Sequence, residues 1–497
     1  MISETKAMAT TREAGADSGA GGFDAQFWAM HKASREEPPA SLPERKEQLR
    51  ALRRAISGTI GEFQEAIARD YGGRSREETL MAEIIPALTT VRDALRNVGR
   101  WMRPERRGTS IMFWPGRNQI VWQPKGVVLI ISPWNYPVSL TIGPLAAALA
   151  AGNRVIVKPS EFTPATSDLL KRCLEGALGA DRVTVATGGA QVAQALCRLP
   201  FDHILFTGST SVGRKVMAAA AENLTPVTLE LGGKSPAILH PEYDLPTAAQ
   251  RIARGKLLNA GQTCIAPDYV LVREGNVDAF ARQYRDATAR LYPRLIDNRD
   301  YTAIINQRHY ERLCALVADA RAKGARVEAI DPGAELAAGE IGSPNARKIA
   351  PVLLTGVTDE MTIMQEETFG PLLPIVPYRT LDDAVAYVRG KPRPLALYYF
   401  DNNRTRVERV LDLTVSGGVA VNDTVYHFAQ EALPFGGIGP SGMGAYHGRD
   451  GFRTFSHAKA VFFQSRLTLT SWLAPPYANR WFRSLMRLAL RRIRRPR

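Results

Sequence analysis

Cysteine is scarce in this chain. The 497 residues hold Cys173, Cys197, Cys264 and Cys314, and no two stand in a CxxC pair. That spacing argues against a disulfide framework and against a zinc cluster, and it fits a reducing compartment such as the cytoplasm. The opening residues carry no basic stretch followed by an apolar run, so no secretory leader is expected. No uninterrupted apolar segment reaches the roughly 18 residues of a spanning helix. The seven histidines are scattered without metal-ligand spacing, so no metal site is expected. Acid is also missing from the C-terminal end. Residues 480–497 hold eight arginines and no Asp or Glu, and removing that charge from a net of +15 leaves +7 for the rest. The basic excess is therefore concentrated in a tail. With no nucleic-acid motif beside it, nucleic-acid binding is not expected.

Hydrophobic residues at 45% and charged residues at 23% are those of an ordinary globular chain with a sizeable core. Residues 1–22, rich in Ala, Gly, Ser and Thr, read as disordered. From Leu42 to Val98 apolar residues recur at helical spacing, and Trp101–Arg117 reads as a basic loop. Asn118–Trp122 and Gly126–Ile131 are β-rich and flank Pro124-Lys125, which predicts a hairpin or bent ribbon. Strands and helices then alternate from Val127 to Ala221, which predicts a parallel sheet covered on both faces. A second α/β stretch follows from Gly232 to Val419, with Ala237–Leu239, Tyr269–Val272 and Leu372–Val376 as its clearest strands.

Three runs carry chemistry. Cys264 ends Gly261-Gln262-Thr263-Cys264, and a thiolate is a strong nucleophile toward carbonyl carbon. Glu230 lies in Leu229-Glu230-Leu231-Gly232-Gly233-Lys234-Ser235-Pro236, and a carboxylate can activate water. Gly232-Gly233 permits a tight turn beside it. Asn135, in Pro133-Trp134-Asn135-Tyr136-Pro137, offers an amide donor to an oxyanion. Each residue also has a bland explanation. A lone cysteine is usually a buried small hydrophobe, a glutamate at a strand end is usually solvated, and Asn before Tyr-Pro suits a turn. What favours chemistry for Asn135 is its place after the Val127–Ile131 strand, where open α/β sheets put their ligands.

Two further runs suit a dinucleotide. Lys158 and Glu161 follow a strand and can bond ribose hydroxyls, although such a pair is more often a surface ion pair. Phe206-Thr207-Gly208-Ser209-Thr210-Ser211-Val212-Gly213 leaves a strand and opens a helix, a placement suited to phosphate. It is not GxGxxG.

Together and in this order, these runs resemble the aldehyde dehydrogenase superfamily over residues 40–465. Thr225-Pro226-Val227-Thr228, Ile265-Ala266-Pro267-Asp268-Tyr269 and the block from Leu433 to His457 are similar to its class 3-like branch. Asn422-Asp423-Thr424 looks most like the coniferyl aldehyde members. The resemblance implies an α/β fold of three parts. These are a Rossmann-type dinucleotide domain (23–103 and 126–231), a catalytic domain (232–430) and a bridging, oligomerising β element (104–125 and 445–465). It also implies a homodimer and NAD or NADP as cofactor. Trp134, Lys158, Glu161, Gly208, Ser209 and Gly213 then serve the cofactor, with Glu367 on the nicotinamide ribose and Phe369 against the nicotinamide. For Phe369 the alternative is simple core packing. The implied reaction oxidises an aldehyde, aromatic such as coniferyl aldehyde or medium to long-chain aliphatic, through a thiohemiacetal and a thioester on Cys264.

Two rivals remain. A CoA-acylating enzyme would pass its thioester to CoA, and Glu230 argues against it. A non-catalytic membrane-associated binding protein would not need Cys264, Glu230, Asn135, Lys158 and Phe369 together. Glu161 would repel a 2′-phosphate, yet the choice between NAD and NADP stays open. The tail, 466–497, departs from the family pattern. Phe482, Leu485, Met486, Ala489 and Ile493 fall on one helical face, with Trp481 beside it. Arg480, Arg483, Arg487, Arg491 and Arg494 fall on the other. This predicts a basic amphipathic helix in 478–497 that meets an anionic membrane, caps the substrate entrance, or merely faces solvent.

Overall fold

The computed structural model describes residues 21–467, 475 and 480–493. The Val127–Ile131 strand is buried at every position, as a run of Val, Leu and Ile covered on both faces must be. It lies inside a six-stranded sheet. In spatial order the strands are Gly442–Met443, Val227–Glu230, His203–Thr207, Val127–Ile131, Arg154–Lys158 and Val183–Val185. All neighbours are parallel except the short Gly442–Met443 edge, which runs antiparallel to Val227–Glu230. The chain starts in the middle, works outward through 154–158 and 183–185, then crosses back to 203–207. That reversal opens a crevice at the carboxyl ends of 127–131 and 203–207. The helix Ser139–Ala151 is buried along its whole length, as its nearly all-apolar sequence requires. It packs under helices Leu42–Gly58, Ile85–Trp101 and Gly448–Thr454.

The second sheet has seven strands. They run Arg326–Ala329, Val352–Thr355, Leu372–Tyr378, Tyr269–Arg273, Pro236–Leu239, Ala396–Phe400 and Gly418–Val421. Only the first pair is antiparallel. Both sheets are thus α/β, as alternation along the sequence implied.

Of the hairpin and the bent ribbon expected here, the hairpin does not form. Arg117–Pro124 pairs antiparallel with Glu105–Arg107 and Ser456–Phe463 in a separate three-stranded sheet, whereas Val127–Ile131 belongs to the parallel sheet. The chain changes sheets at Gly126, whose φ of 138° and close approach to Asp202 and Arg35 leave no room for a side chain. The basic stretch read as a loop is partly ordered into Glu105–Arg107 and a 3₁₀ turn, Ile111–Phe113. Within 445–465, the first half is the helix Gly448–Thr454 rather than strand. Gly21 and Gly22 open the helix Gly21–Glu36 instead of closing a disordered segment, while residues 1–20 of that reading lie outside the described residues. The tail forms the expected helix, Arg480–Ile493, though Arg494 lies outside the described residues. Leu488 and Leu490, off the predicted apolar face, are more than half exposed, so the apolar surface is wider than the face the spacing marked. Among the described residues no helix is long and apolar enough to cross a membrane, and no cluster suits a metal ion.

Candidate active site

The loop that leaves Val127–Ile131 delivers Asn135 to the interior, 2% exposed. Its side-chain Nδ2 donates to the Gln262 carbonyl at 3.2 Å, which leaves a second N–H of the amide. Next to it, the hydroxyls of Tyr136 and Thr263 meet at 2.6 Å. Asn135 and Cys264, far apart in sequence, are therefore on two loops stitched together.

The loop before Cys264 is strained. Asn259, Ala260 and Gly261 follow one another with φ of 54°, 51° and 75°. For the two non-glycine residues this costs on the order of 1–3 kcal/mol each, so the surroundings must impose it. They do. Gln262 Nε2 donates to Asn259 O and Ala303 O, both at 3.0 Å, and its Oε1 accepts from Ile305 N at 2.9 Å. The Cα of Gly261 lies flat against the main chain of Gly370, which joins this loop to Glu366–Pro371.

Cys264 is half-buried and opens on a cavity of about 500 Å³. Met81, Leu140, Leu258, Ile265, Val425 and Phe428 supply much of its apolar wall. Burial, then the nearby Glu367 and Glu230 carboxyls, push the thiol up to about 12. Glu230 ends the strand Val227–Glu230 and is 2% exposed, and both of its carboxyl oxygens are buried without a hydrogen-bond partner. Burial holds it well above the usual carboxylate range. Glu367 is raised to about 8, by burial first and then by Asp268, and its Oε1 is also unpartnered. Gly232, expected to serve a turn, has no left-handed φ; what it supplies is space, because a Cβ there would overlap the Glu367 carboxylate. Lys256, fully buried with no partner for its Nζ, is lowered by burial to about 8.

The crevice at the strand ends gathers the remaining candidates. Lys158, at the end of Arg154–Lys158, is 2% exposed; its Nζ donates to Pro159 O at 2.5 Å and pairs with Glu161 at 3.5 Å. Ser209 caps the helix Thr210–Ala221, its hydroxyl accepting from Val212 N. Gly208 sits over the Phe206 ring and Gly213 against Leu231, so both glycines serve close packing of the strand and helix. Trp134 meets Phe369 edge-on at 5.3 Å between centroids, and Phe369 takes φ 49°. Trp134 also touches His309 at 5.1 Å. A dinucleotide fits this chemistry. There is an uncovered helix N-terminus for phosphate, a buried ammonium with donors to spare, an unpartnered Glu367 oxygen for a hydroxyl, and aromatic faces for a ring.

Sequence reasoning missed Tyr71, Arg74, Glu83, Asn259, Lys256 and His309. Their neighbourhoods look like exposed helix or plain core. Only Gln262 offered a signal, standing inside Gly261–Cys264 without a role.

A thiol facing an apolar cavity, with buried carboxyls beside it and a doubly wound sheet opening a dinucleotide crevice, defines a nicotinamide-dependent oxidoreductase. The model of the aldehyde dehydrogenase family matches residues 7–461, and the chain belongs to that family. It catalyses NAD(P)-dependent oxidation of an aldehyde. It is 50% identical over 457 residues to a Pseudomonas aeruginosa protein named probable coniferyl aldehyde dehydrogenase, covering 92% of this chain and 94% of that one. Identity to aldehyde dehydrogenase family 3 member A2 of Pongo abelii is 41% over 422 residues, 85% and 84% of the two chains. The fold matches the substrate-bound state of Staphylococcus aureus AldH with a TM-score of 0.87 and 37% identity, over 94% of this chain and 99% of that one.

Proposed function

We propose that the chain oxidises aromatic, coniferyl-type aldehydes to carboxylates, with Cys264 as nucleophile, Asn135 as oxyanion donor and Glu230 as base. The observation that carries this reading is the setting of Cys264, which lines the apolar cavity and stands within electrostatic reach of two buried carboxyls. Tyr136, Tyr292, Tyr426 and Phe428 give that cavity aromatic walls, and flat rings pack well on such surfaces. The relatives named for coniferyl aldehyde point the same way.

Cys264 attacks as a thiolate, its proton passing to solvent water. Sγ bonds to the carbonyl carbon, and the oxygen gains a negative charge held by the free Asn135 N–H and the Cys264 main-chain N–H. A nicotinamide ring in the crevice would supply the acceptor for the hydride that leaves this carbon, so that the thiohemiacetal on Cys264 becomes a thioester. Glu230 then takes a proton from water as its oxygen attacks the thioester, and the C–S bond breaks to release the acid. Lys158, Glu161, Ser209, Trp134, Glu367 and Phe369 would hold the cofactor, with Gly208 and Gly213 shaping its crevice.

In this reading residues 23–103 and 126–231 form the dinucleotide domain and 232–430 the catalytic domain. Residues 104–125 and 445–465 join two copies into a dimer, through the edge that the three-stranded sheet offers. Four free cysteines suit a cytoplasmic setting. The tail helix rests on an anionic membrane surface.

NAD(P)H formation from an aldehyde panel, with and without CoA, tests the reaction. Coniferyl and benzaldehyde-type substrates should turn over without CoA and outpace long-chain aldehydes. Turnover that requires CoA, or a preference for aliphatic chains, overturns the reading.

A further inference from the structure

The Arg74 side chain is wholly buried beside the site, and its cation is bound on three sides. Nε meets Glu78 Oε1 at 3.1 Å, Nη1 meets Glu83 Oε1 at 3.1 Å, and Nη1 also donates to the main-chain oxygen of Asn135 at 3.2 Å. The guanidinium lies 5.2 Å from the ring centre of Tyr71 and 5.0 Å from that of Tyr136. The Asn135 oxygen takes two more donors, Tyr71 Oη at 2.9 Å and Asn259 Nδ2 at 3.1 Å. Three donors converge on an oxygen with two lone pairs, which holds this peptide in one orientation.

The two carboxylates tie the cluster to both segments that carry Asn135 and Cys264. Glu83 Oε2 accepts from Val138 N at 3.0 Å and Ser139 N at 2.8 Å, fixing the start of the buried helix that follows Asn135. Glu78 Oε2 accepts from Asn259 N at 3.2 Å, in the strained loop before Cys264. Glu83 reaches inward from the π-helical turn Leu80–Ile84, the only one among the described residues, while Met81 of the same turn borders the cavity and stays half exposed. Such turns insert an extra residue and often accompany functional sites.

Stability alone does not call for this arrangement. Burying three ionised groups is costly, and apolar groups of the same volume generally hold a fold as well or better. Here Arg74 Nη2 is buried with no hydrogen-bond partner. What charged groups offer, and apolar ones do not, is directional fixing of a peptide oxygen.

We propose that Arg74 is a positioning residue for the oxidation, held by Glu78 and Glu83, that fixes the Asn135 peptide so that its side-chain amide meets the oxyanion formed at Cys264. This rests on the reading of Asn135 as oxyanion donor. A displacement of about 1 Å at such a donor is enough to slow the chemical step on the order of a hundredfold.

First-turnover NAD(P)H formation from an aromatic aldehyde, measured on the full chain, tests this. Arg74→Met should slow that step about tenfold or more while aldehyde KM and cofactor Kd stay within about threefold of wild type. Arg74→Lys, which keeps the charge and a donor, should recover part of the rate. The double variant R74M/E83Q removes opposite charges together, guards against misfolding of the single variant, and should show the same loss. Asn135→Ala separates two failures: a wild-type first turnover there removes Asn135 from its role, whatever Arg74 does. If Asn135→Ala is slow, adding Arg74→Met should cost little more, because both act through one donor. Wild-type rates in R74M or R74M/E83Q, additive losses in that cycle, or failure of all three Arg74 variants to fold would overturn the proposal in favour of a structural cluster.

Discussion

Glu367 rests its carboxylate against the Cα of Gly232, so closely that no side chain fits at 232. The contact joins the loop after Glu230 to the loop that carries Phe369, and so joins the edge of one sheet to the other. It also seals Glu367 in a place where its charge is poorly solvated. Burial, with Asp268 adding like charge, raises the carboxyl from 4.5 to about 8.

That shift makes a stability prediction. An acid whose folded value is raised helps the fold least when ionised, so its contribution is fully present below pH 4.5. It is lost as pH rises to about 8. Glu367→Gln cannot ionise. The Tm of the variant should therefore gain on wild type between pH 5 and 8 and stop gaining above, on thermal melts across that series. A constant difference would mean that Glu367 is not raised.

Much of this architecture was legible because period and burial agree. The VVLII run at 127–131 could only be a strand covered on both faces, and the helices between strands fixed a parallel sheet. Cys264, Glu230 and Asn135 stood out because a nucleophile, a carboxylate and an amide each sat in a distinctive run. The hairpin at 118–131 failed because local β-propensity does not say which sheet a strand joins; the register of Arg117–Pro124 is set by Ser456–Phe463, at the far end of the chain. Arg74 and Glu83 were invisible for a related reason. In sequence they belong to a charged helix, and only the fold reveals that those charges face inward. Asn259 is a residue type that tolerates the left-handed region, but Ala260 beside it carries no such signal, and tertiary contacts impose its conformation.

Cys264→Ser should abolish aldehyde oxidation and leave cofactor binding nearly intact. A hydroxyl is a far weaker nucleophile than a thiolate, and surroundings that already push the thiol up would not ionise a serine. Turnover within about tenfold of wild type would remove Cys264 from its role.

Glu230→Gln should slow release of the acid more than formation of the thioester. A burst of NAD(P)H followed by slow turnover is expected, with the acyl group visible on Cys264 by intact-mass spectrometry. Steady turnover without a burst, and no acyl adduct, would transfer the water-activating role to another carboxyl, of which Glu367 is the nearest candidate.

Lys158→Ala should weaken the cofactor and leave the aldehyde KM nearly unchanged. The buried ammonium stands at the strand end with Glu161, and each lost hydrogen bond from such a group is worth about 0.5–1.5 kcal/mol or more. That corresponds to a rise in cofactor Kd of about threefold to tenfold, read by calorimetry. An unchanged Kd would place the ribose elsewhere.

The tail gives the last prediction. Along Arg480–Ile493 the arginines Arg480, Arg483, Arg487 and Arg491 share one side, and Phe482 and Met486, both half-buried, lie away from it. Trp481 is 74% exposed, the placement of a residue that favours a membrane interface. Each arginine near an anionic surface contributes about 1 kcal/mol, and the attraction weakens with salt. The rival is a helix whose charges simply face water, which would show no preference for lipid charge. Co-sedimentation with phosphatidylserine vesicles distinguishes them. The full chain should pellet at low salt and be released at high salt, and a form truncated after Pro476 should stay in the supernatant. Neutral phosphatidylcholine vesicles should retain neither form. Equal pelleting of both forms with anionic vesicles, or of neither, would leave the helix as a solvated or protein-docked tail.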